Sequence, residues 1–475
     1  MLVHGIGLNA CVLRQSLLAL LLLALSLGTA AVAQERSAAQ AAALVIEHVT
    51  VLTMRAEEPR RLTDATVIIR DGRIASVGAS RQAVAPRGLK RIDATGKWLM
   101  PALTDMHVHT PNDRQARLYL HDQRVRDGTI RQQDIFTPYI ANGVLQVLDL
   151  QSMSETVGQR VEIESGLVLG PHLFLAAMID GSPPLWPVGM TRVAITPADG
   201  RQAVRDVAAE GYDFVKVYSA LDLDTFSAIV DEARRLNMRV IGHIPQRRKG
   251  ITEKFFQPGY DLVAHAEEYA QQTDPPDLAA IPRYVEMTQR NGTSLIATLT
   301  LDERILEQAS HPETLRTRPE IPEGLRSTWI EHNPYVGRGP GFIQYVQRII
   351  EFNQQLVRAF VAAGIPVLAG TDSQVPGVVP GFALHDELEA LARTGMSNEQ
   401  VLQATTRLAC EWLRVADDRG TVEPGKRADL LLLTADPLQD VANTRRIAAV
   451  ILGGRYLPRA QLDRMLVPAQ QRASR

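Results

Sequence analysis

Cysteine is nearly absent: Cys11 and Cys410 are the two cysteines in 475 residues. That excludes a disulfide framework. An excess of one charge is also missing. Lys and Arg number 51 against 53 for Asp and Glu, a formal net charge of -2. No basic patch with interleaved aromatics accompanies them, so nucleic acid is not an expected partner. No short-period repeat is visible, and the apolar, charged and glycine contents are those of an ordinary globular protein. A G-x-S-x-G elbow is missing too, which disfavours a covalent serine mechanism.

Long hydrophobic runs are scarce, with one near the start. Arg14 precedes "SLLALLLLALSLG", and Ala31-Val32-Ala33 follows as a small-x-small cleavage site. That order reads as a secretory signal peptide over 1–33, with the mature chain starting at Gln34. The apolar run is short for a membrane span, so no membrane attachment is expected after cleavage. No cysteine follows the run, which argues against a lipoprotein. The expectation is export, to the periplasm if the source is a diderm bacterium. Cys11 leaves with the signal. Cys410 sits in "NEQVLQATTRLACEWL", a helical pattern, and reads as a buried small hydrophobe rather than a nucleophile.

Residues 44–98 read as short strands with turns, and Asp71-Gly72 is a strong hairpin signal. Residues 421–458 return to this style, in "ADLLLLTADP" and "IAAVILGGRYL". The two ends should pair into one small sheet domain. Between them, apolar runs alternate with helical patterns. The runs end near His107/His109, then at 143–150, 172–179, 212–219, 238–244, 260–266, 293–299 and 365–372. Helices are expected at 222–237, capped by Asp222 or Asp224, and at 342–364, stopped by Gly364. Eight such strands over about 300 residues predict an α/β fold, a (β/α)8 TIM barrel. The expected domains are a β-sandwich built from 34–98 and 413–475 around a barrel at 99–412. The last residues, "PAQQRASR", read as a frayed tail.

In such a barrel, chemistry sits where strands end. The first run ends in "DMHVHT". Positions i and i+2 of a strand share a face, so His107 and His109 project together. Lys216 ends the fourth run, His243 the fifth, His265 the sixth and Asp372 the eighth. Runs two, three and seven offer nothing as clear. Each residue alone has a bland reading: a satisfied polar side chain, a snorkelling lysine or a turn-capping aspartate. Together, imidazoles and a carboxylate form the ligand set of zinc and similar divalent ions.

The sequence resembles the amidohydrolase superfamily, in particular its imidazolonepropionase-like and prolidase-like members. The resemblance spans nearly the whole mature chain. "PALTDMHVHT", "VKVYS", "IGHIP", "VAHAEE" and "AGTDS" carry it, with "LHDELEALARTGMSNEQVLQATT" and "GTVEPGKRADLLLL". It implies two divalent metal ions. His107, His109 and Asp372 would hold one, and His243 and His265 the other. Lys216 matches the lysine that family members carboxylate with CO2 to make a bridging carbamate. A plain ammonium beside two cations would be repelled, so the alternative is an unmodified Lys216 beside a single ion. Zinc is the expected metal, although the residue types also suit manganese, cobalt or iron.

The implied enzyme is a metal-dependent hydrolase of carbon–nitrogen bonds. A water shared by the two ions becomes the nucleophile, and Asp372 is its general base, then the acid for the leaving amine. The expected substrate is small: a dipeptide or an N-acyl amino acid, with a cyclic amide, lactone or carbamate as the alternative. A catalytically silent binding protein is a third reading, and the filled ligand positions oppose it. Tyr218 follows Lys216 by two and shares its face. In prolidase-like relatives the matching tyrosine helps hold the substrate's carboxylate. Arg338 and His385, expected in loops after strands seven and eight, are further candidates for an anionic group. "MIDGSPPLWP" (178–187) is expected to wall the pocket. Prolidase-like members often have a more histidine-rich loop there, which puts a strict Xaa-Pro substrate in doubt. The helical outer surface would also suit association into a homo-oligomer.

Overall fold

A computed structural model describes residues 43–83, 88–110, 132–245, 250–373 and 375–467. The signal segment 1–33 and the tail 468–475 lie outside the described residues. No helix among the described residues is long and apolar enough to cross a membrane.

The chain's two ends do build one sheet. The N-terminal part supplies β1 (Leu44–Leu52), β2 (Arg61–Arg70), β3 (Arg73–Ala79), β4 (Lys90–Asp93) and β5 (Trp98–Pro101). Asp71 and Gly72 connect β2 and β3 with φ of 50° and 75°. Both are positive, as a tight two-residue hairpin turn requires. This sheet takes in Trp98–Pro101, so it runs slightly past residue 98. The C-terminal part adds β15 (Leu430–Leu433), β16 (Ile447–Leu452) and β17 (Arg455–Pro458). The join is β5 against β15, antiparallel, with Leu99 opposite Leu432.

The "LLLL" of β15 is buried on both faces. Leu430 and Leu432 pack with Ile46, Val67 and Ile69 inside the sheet domain. Leu431 and Leu433 join the core shared with the barrel. Period-two alternation lets one strand serve two cores, which fixes the sheet domain against the barrel.

The middle of the chain forms the barrel strands β6 (Leu103–Val108), β7 (Val144–Asp149), β8 (His172–Asp180), β10 (Phe214–Val217), β11 (Arg239–Gly242), β12 (Tyr260–Ala264), β13 (Ser294–Ile296) and β14 (Val367–Leu368). A short β9 (Arg192–Val193) pairs only with β8. The eight run parallel in sequence order, and a parallel bridge between Val108 and Ser373 brings the last back to the first. Met106, Leu148, Phe174, Phe214, Ile241, Leu262, Ile296 and Leu368 fill the interior, with Trp412 packed against them. It is a packed core, not a pore.

Helices cover the outside. The helix Leu223–Arg235 begins at Asp222, whose side chain accepts from the Thr225 backbone N–H at 2.8 Å, so Asp222 rather than Asp224 is the cap. The long helix Pro340–Ala362 ends just before Gly364, which has φ of 74°. Cys410 is buried in the helix Arg407–Trp412.

Candidate metal centre and active site

His107 and His109 reach the barrel mouth through an irregularity. The β6–β7 register shifts between Asp105 and Val108. A bulge of this kind re-aims side chains: Met106 faces the packed interior, yet its neighbour His107 also points into the site. The two imidazole centroids are 5.2 Å apart. Both rings meet Asp372, with its Oδ1 3.1 Å from His107 Nε2 and 2.8 Å from His109 Nε2. Gly370 permits this approach, because a Cβ there would lie 2.9 Å from the His107 backbone nitrogen.

The other candidate ligands converge on the same place. The His265 ring centroid is 4.5 Å from that of His107 and 5.0 Å from that of His243. Lys216 is buried beneath them, and its ammonium disfavours protonation of His107, His243 and His265. Tyr218, two residues on, lies with its ring centroid 4.0 Å from His243 and 5.4 Å from the Lys216 Nζ.

Burial, more than any neighbouring charge, holds His107, His243 and His265 far below the ordinary histidine range, so all three are neutral. A neutral imidazole is the form that binds a metal ion. Burial also brings Lys216 down to about 8, against the pull of Asp372, Glu268 and Asp149. It opposes ionisation of Asp372 as well, but the two adjacent imidazoles outweigh it and hold that carboxyl well below the usual range.

His107, His109 and Asp372 form a candidate metal site, with one donor atom from each within 4.8 Å of the others. Their hydrogen bonding fits an ion. Nδ1 and Nε2 of His107, Nδ1 of His109 and Oδ1 of Asp372 are buried and make no hydrogen bond of acceptable geometry. Buried polar atoms are rarely left so. A cation held by one donor atom from each residue would satisfy part of this set, including Oδ1 of Asp372 and one ring nitrogen of His107.

Several supporting residues escaped the sequence analysis. His243 Nδ1 contacts Glu268 Oε1 at 2.6 Å and Ser219 Oγ at 3.3 Å. Glu268 is itself held by the Ile244 backbone N–H at 2.9 Å. His265 Nδ1 pairs with Thr298 Oγ1 at 3.0 Å. Each contact occupies one ring nitrogen and turns the other toward the site. Thr298 lies just beyond the seventh barrel strand and Asp180 ends the third, two runs that had offered no clear residue. Asp105 is fully buried. It accepts from the Thr371 backbone N–H at 3.0 Å, the Thr371 hydroxyl at 2.7 Å and the His107 backbone N–H at 3.2 Å. It clasps the first and last strands together. Glu268 had a signal in the sequence, three residues after His265. Thr298 had none, being one threonine among many.

One expected substrate contact stands apart from this cluster. His385 lies within the helix Phe382–Arg393, not in a loop. Both its ring nitrogens are engaged elsewhere, Nδ1 with Thr444 Oγ1 at 2.8 Å and Nε2 with the Asn142 carbonyl at 3.1 Å. It is a buried packing histidine with no nitrogen left for a substrate. Arg338 is exposed, with its guanidinium 4.9 Å over the Phe342 ring.

Comparison with known proteins agrees with this architecture. Imidazolonepropionase of Deinococcus deserti is 24% identical over 405 residues, covering 82% of this chain and 90% of its own. The structure of a Xaa-Pro dipeptidase with bound methionine in the active site matches 88% of this chain and 100% of its own, with a TM-score of 0.66 at 19% identity. A prolidase complexed with N-methylphosphonate-L-proline matches 88% and 99%, with a TM-score of 0.67 at 20% identity. At these identities the two structures show the shared fold. The model of the Amidohydrolase family matches residues 98–457, the barrel together with the returning strands of the sheet domain. This chain belongs to the amidohydrolase family and is a hydrolytic enzyme.

Proposed function

We propose that this protein is an exported, binuclear metal-dependent amidohydrolase that cleaves an amide bond of a small substrate, a dipeptide or an N-acyl amino acid. One observation carries the reading: His107, His109, Lys216, His243, His265 and Asp372 meet at one end of the barrel, with the buried imidazoles neutral and the His107/Asp372 donor atoms unbonded. His107, His109 and Asp372 would hold one ion, and His243 and His265 the second. When bound, two divalent ions supply Lewis acidity that lowers the pKa of a water and polarises a carbonyl.

The remaining work falls to this chain. Asp372 takes the attacking water's proton and returns it to the leaving amine, which departs poorly unless protonated. Glu268, an acceptor, sets the Nδ1–H tautomer of His243, and Thr298 holds His265 through Nδ1. Lys216, lowered to about 8 by burial, has a larger fraction of neutral amine near neutral pH than an ordinary lysine. That amine can add to CO2, forming an N–C bond and losing a proton, so that a carbamate anion replaces the ammonium. Tyr218 offers a phenol to an oxygen of the substrate. The prolidase and dipeptidase relatives favour an amide of an amino acid. The cyclic amide, lactone or carbamate alternative uses the same residues. The signal-like order of residues 1–33 supports export.

The test couples metal analysis to a substrate panel. The chain from Gln34 onward is purified without chelator, and metal is counted. Dipeptides, N-acyl amino acids, cyclic amides and lactones are assayed in parallel. About two ions per chain with release of a free amino acid is the expected result. Ring opening alone would replace the substrate class. One ion or none, in protein given excess zinc and bicarbonate, would overturn the binuclear reading.

A further inference from the structure

The loop after β8 bears on what the site selects. Asp180, at the end of that strand, holds two segments at once. Its Oδ1 accepts from the backbone N–H of Ala220 at 2.7 Å and of Gly181 at 2.8 Å. Its Oδ2 accepts from the Leu185 N–H at 2.9 Å. Ala220 lies two residues beyond Tyr218. A single buried carboxylate therefore ties the 181–188 loop to the segment carrying Tyr218. Above this tie, Trp186 Nε1 lies 3.0 Å from the Tyr218 hydroxyl. Leu185, Trp186 and Val188 stay exposed, an apolar lip on the loop that meets Tyr218.

We propose that Trp186 is a positioning residue that fixes the hydroxyl proton of Tyr218 toward the histidine cluster, so that the site selects a substrate with an acceptor oxygen at that point and an apolar group against the lip. The direction follows from the donor inventory. An indole N–H can only donate, so the tyrosine oxygen accepts, and its own proton is directed away from the indole. The Tyr218 ring is packed against His243 and Lys216, and the proton turned away from the indole is inferred to face that cluster. The matching class is an amide whose carboxylate or carbonyl oxygen accepts from Tyr218 and whose side chain or acyl group is apolar. This rests on the proposed function for the site's orientation. The hydrogen bond itself does not.

The test is a double-mutant cycle with W186F and Y218F, read in two ways. W186F keeps the aromatic wall and removes only the N–H. The first readout is the 15N-indole spectrum of the full mature chain, in which the resonance lost in W186F identifies Trp186. That resonance is expected to move in Y218F, and an unmoved signal would overturn the hydrogen bond. The second readout is KM for an amide that wild type hydrolyses and, independent of turnover, the Kd of N-acetyl-L-leucine. W186F is expected to raise both roughly three- to tenfold with little change in kcat. Y218F should do at least as much, and the double variant no more than Y218F. Fully additive losses, or W186F behaving as wild type, would overturn the proposal. Wild type that hydrolyses no amide would sink the proposed function instead, with the indole signal and the Kd cycle still deciding this one.

Discussion

The two halves of the site are held in place differently. On the side of His243 and His265, each ring already has an Nδ1 partner within the protein: Glu268 and Ser219 for one, Thr298 for the other. On the side of His107, His109 and Asp372, buried nitrogens and a carboxylate oxygen face one another with no hydrogen bond of good geometry. The first half is preorganised by protein contacts. The second keeps its donors close through backbone links between β6 and the segment after β14, such as Asp372 N–H to the His107 carbonyl at 2.8 Å. Losing an ion should therefore disturb the second half more. Its donors have nothing else to bind, and a buried unsatisfied group costs about 1–3 kcal/mol.

The largest expected effect comes from Asp372, which belongs to the less supported half and is also the proposed proton carrier. Asp372→Asn should lower kcat by about a thousandfold and reduce bound metal, read by single-turnover assay and elemental analysis. Next comes the supported half. Glu268→Gln weakens the contact that orients His243, and should cost about ten- to a hundredfold in metal affinity or activity. Titration of the metal-free protein with zinc checks it, and one ion retained at wild-type affinity would show that the halves are separable. If Glu268→Gln instead abolished both ions, the comparison would break.

A smaller effect tests the clasp between the strands. Burial raises Asp105 to about 7, whereas a free aspartate titrates near ~3.9. Between those values the folded chain holds a proton that the unfolded chain has lost. Its contribution is therefore fully present below about pH 4 and lost as pH rises toward 7. Asp105→Asn keeps the shape and one acceptor oxygen without the titration. The Tm of the variant relative to wild type should rise from pH 4 to 7, and a constant difference would place the proton elsewhere. The smallest effect on catalysis is expected at His385. His385→Gln should leave kcat/KM within about twofold while lowering stability by about 1–3 kcal/mol through the contacts to Thr444 and Asn142. Thermal and denaturant melts beside the assay separate the two.

Much of this was legible in the sequence because strands leave simple traces. The alternation of apolar runs and helical patterns marked eight strands, and the polar residue ending a run marked a place on the barrel mouth. His107, His109, Lys216, His243, His265 and Asp372 were all visible in that way. Asp71-Gly72 announced its hairpin because few residue pairs tolerate two positive φ angles in succession. His385 misled for the opposite reason. A histidine beside acidic residues in "LHDEL" looks the same whether it faces a substrate or fills a gap between a helix and the sheet domain. Burial decided the matter, and burial depends on partners 59 and 243 residues away.

By itself, then, the sequence determined the order of elements, the barrel, the shared sheet and the chemical types at each strand end, since these follow from local periodicity and residue identity. Tertiary structure decided what local patterns cannot carry. It set the β6 bulge that brings His107 beside Met106 yet into the site, the Glu268 and Thr298 contacts that orient two rings, and the meeting of Trp186 with Tyr218. Each depends on which distant segments are packed within hydrogen-bond range. That is a property of the closed barrel, not of any single stretch of chain.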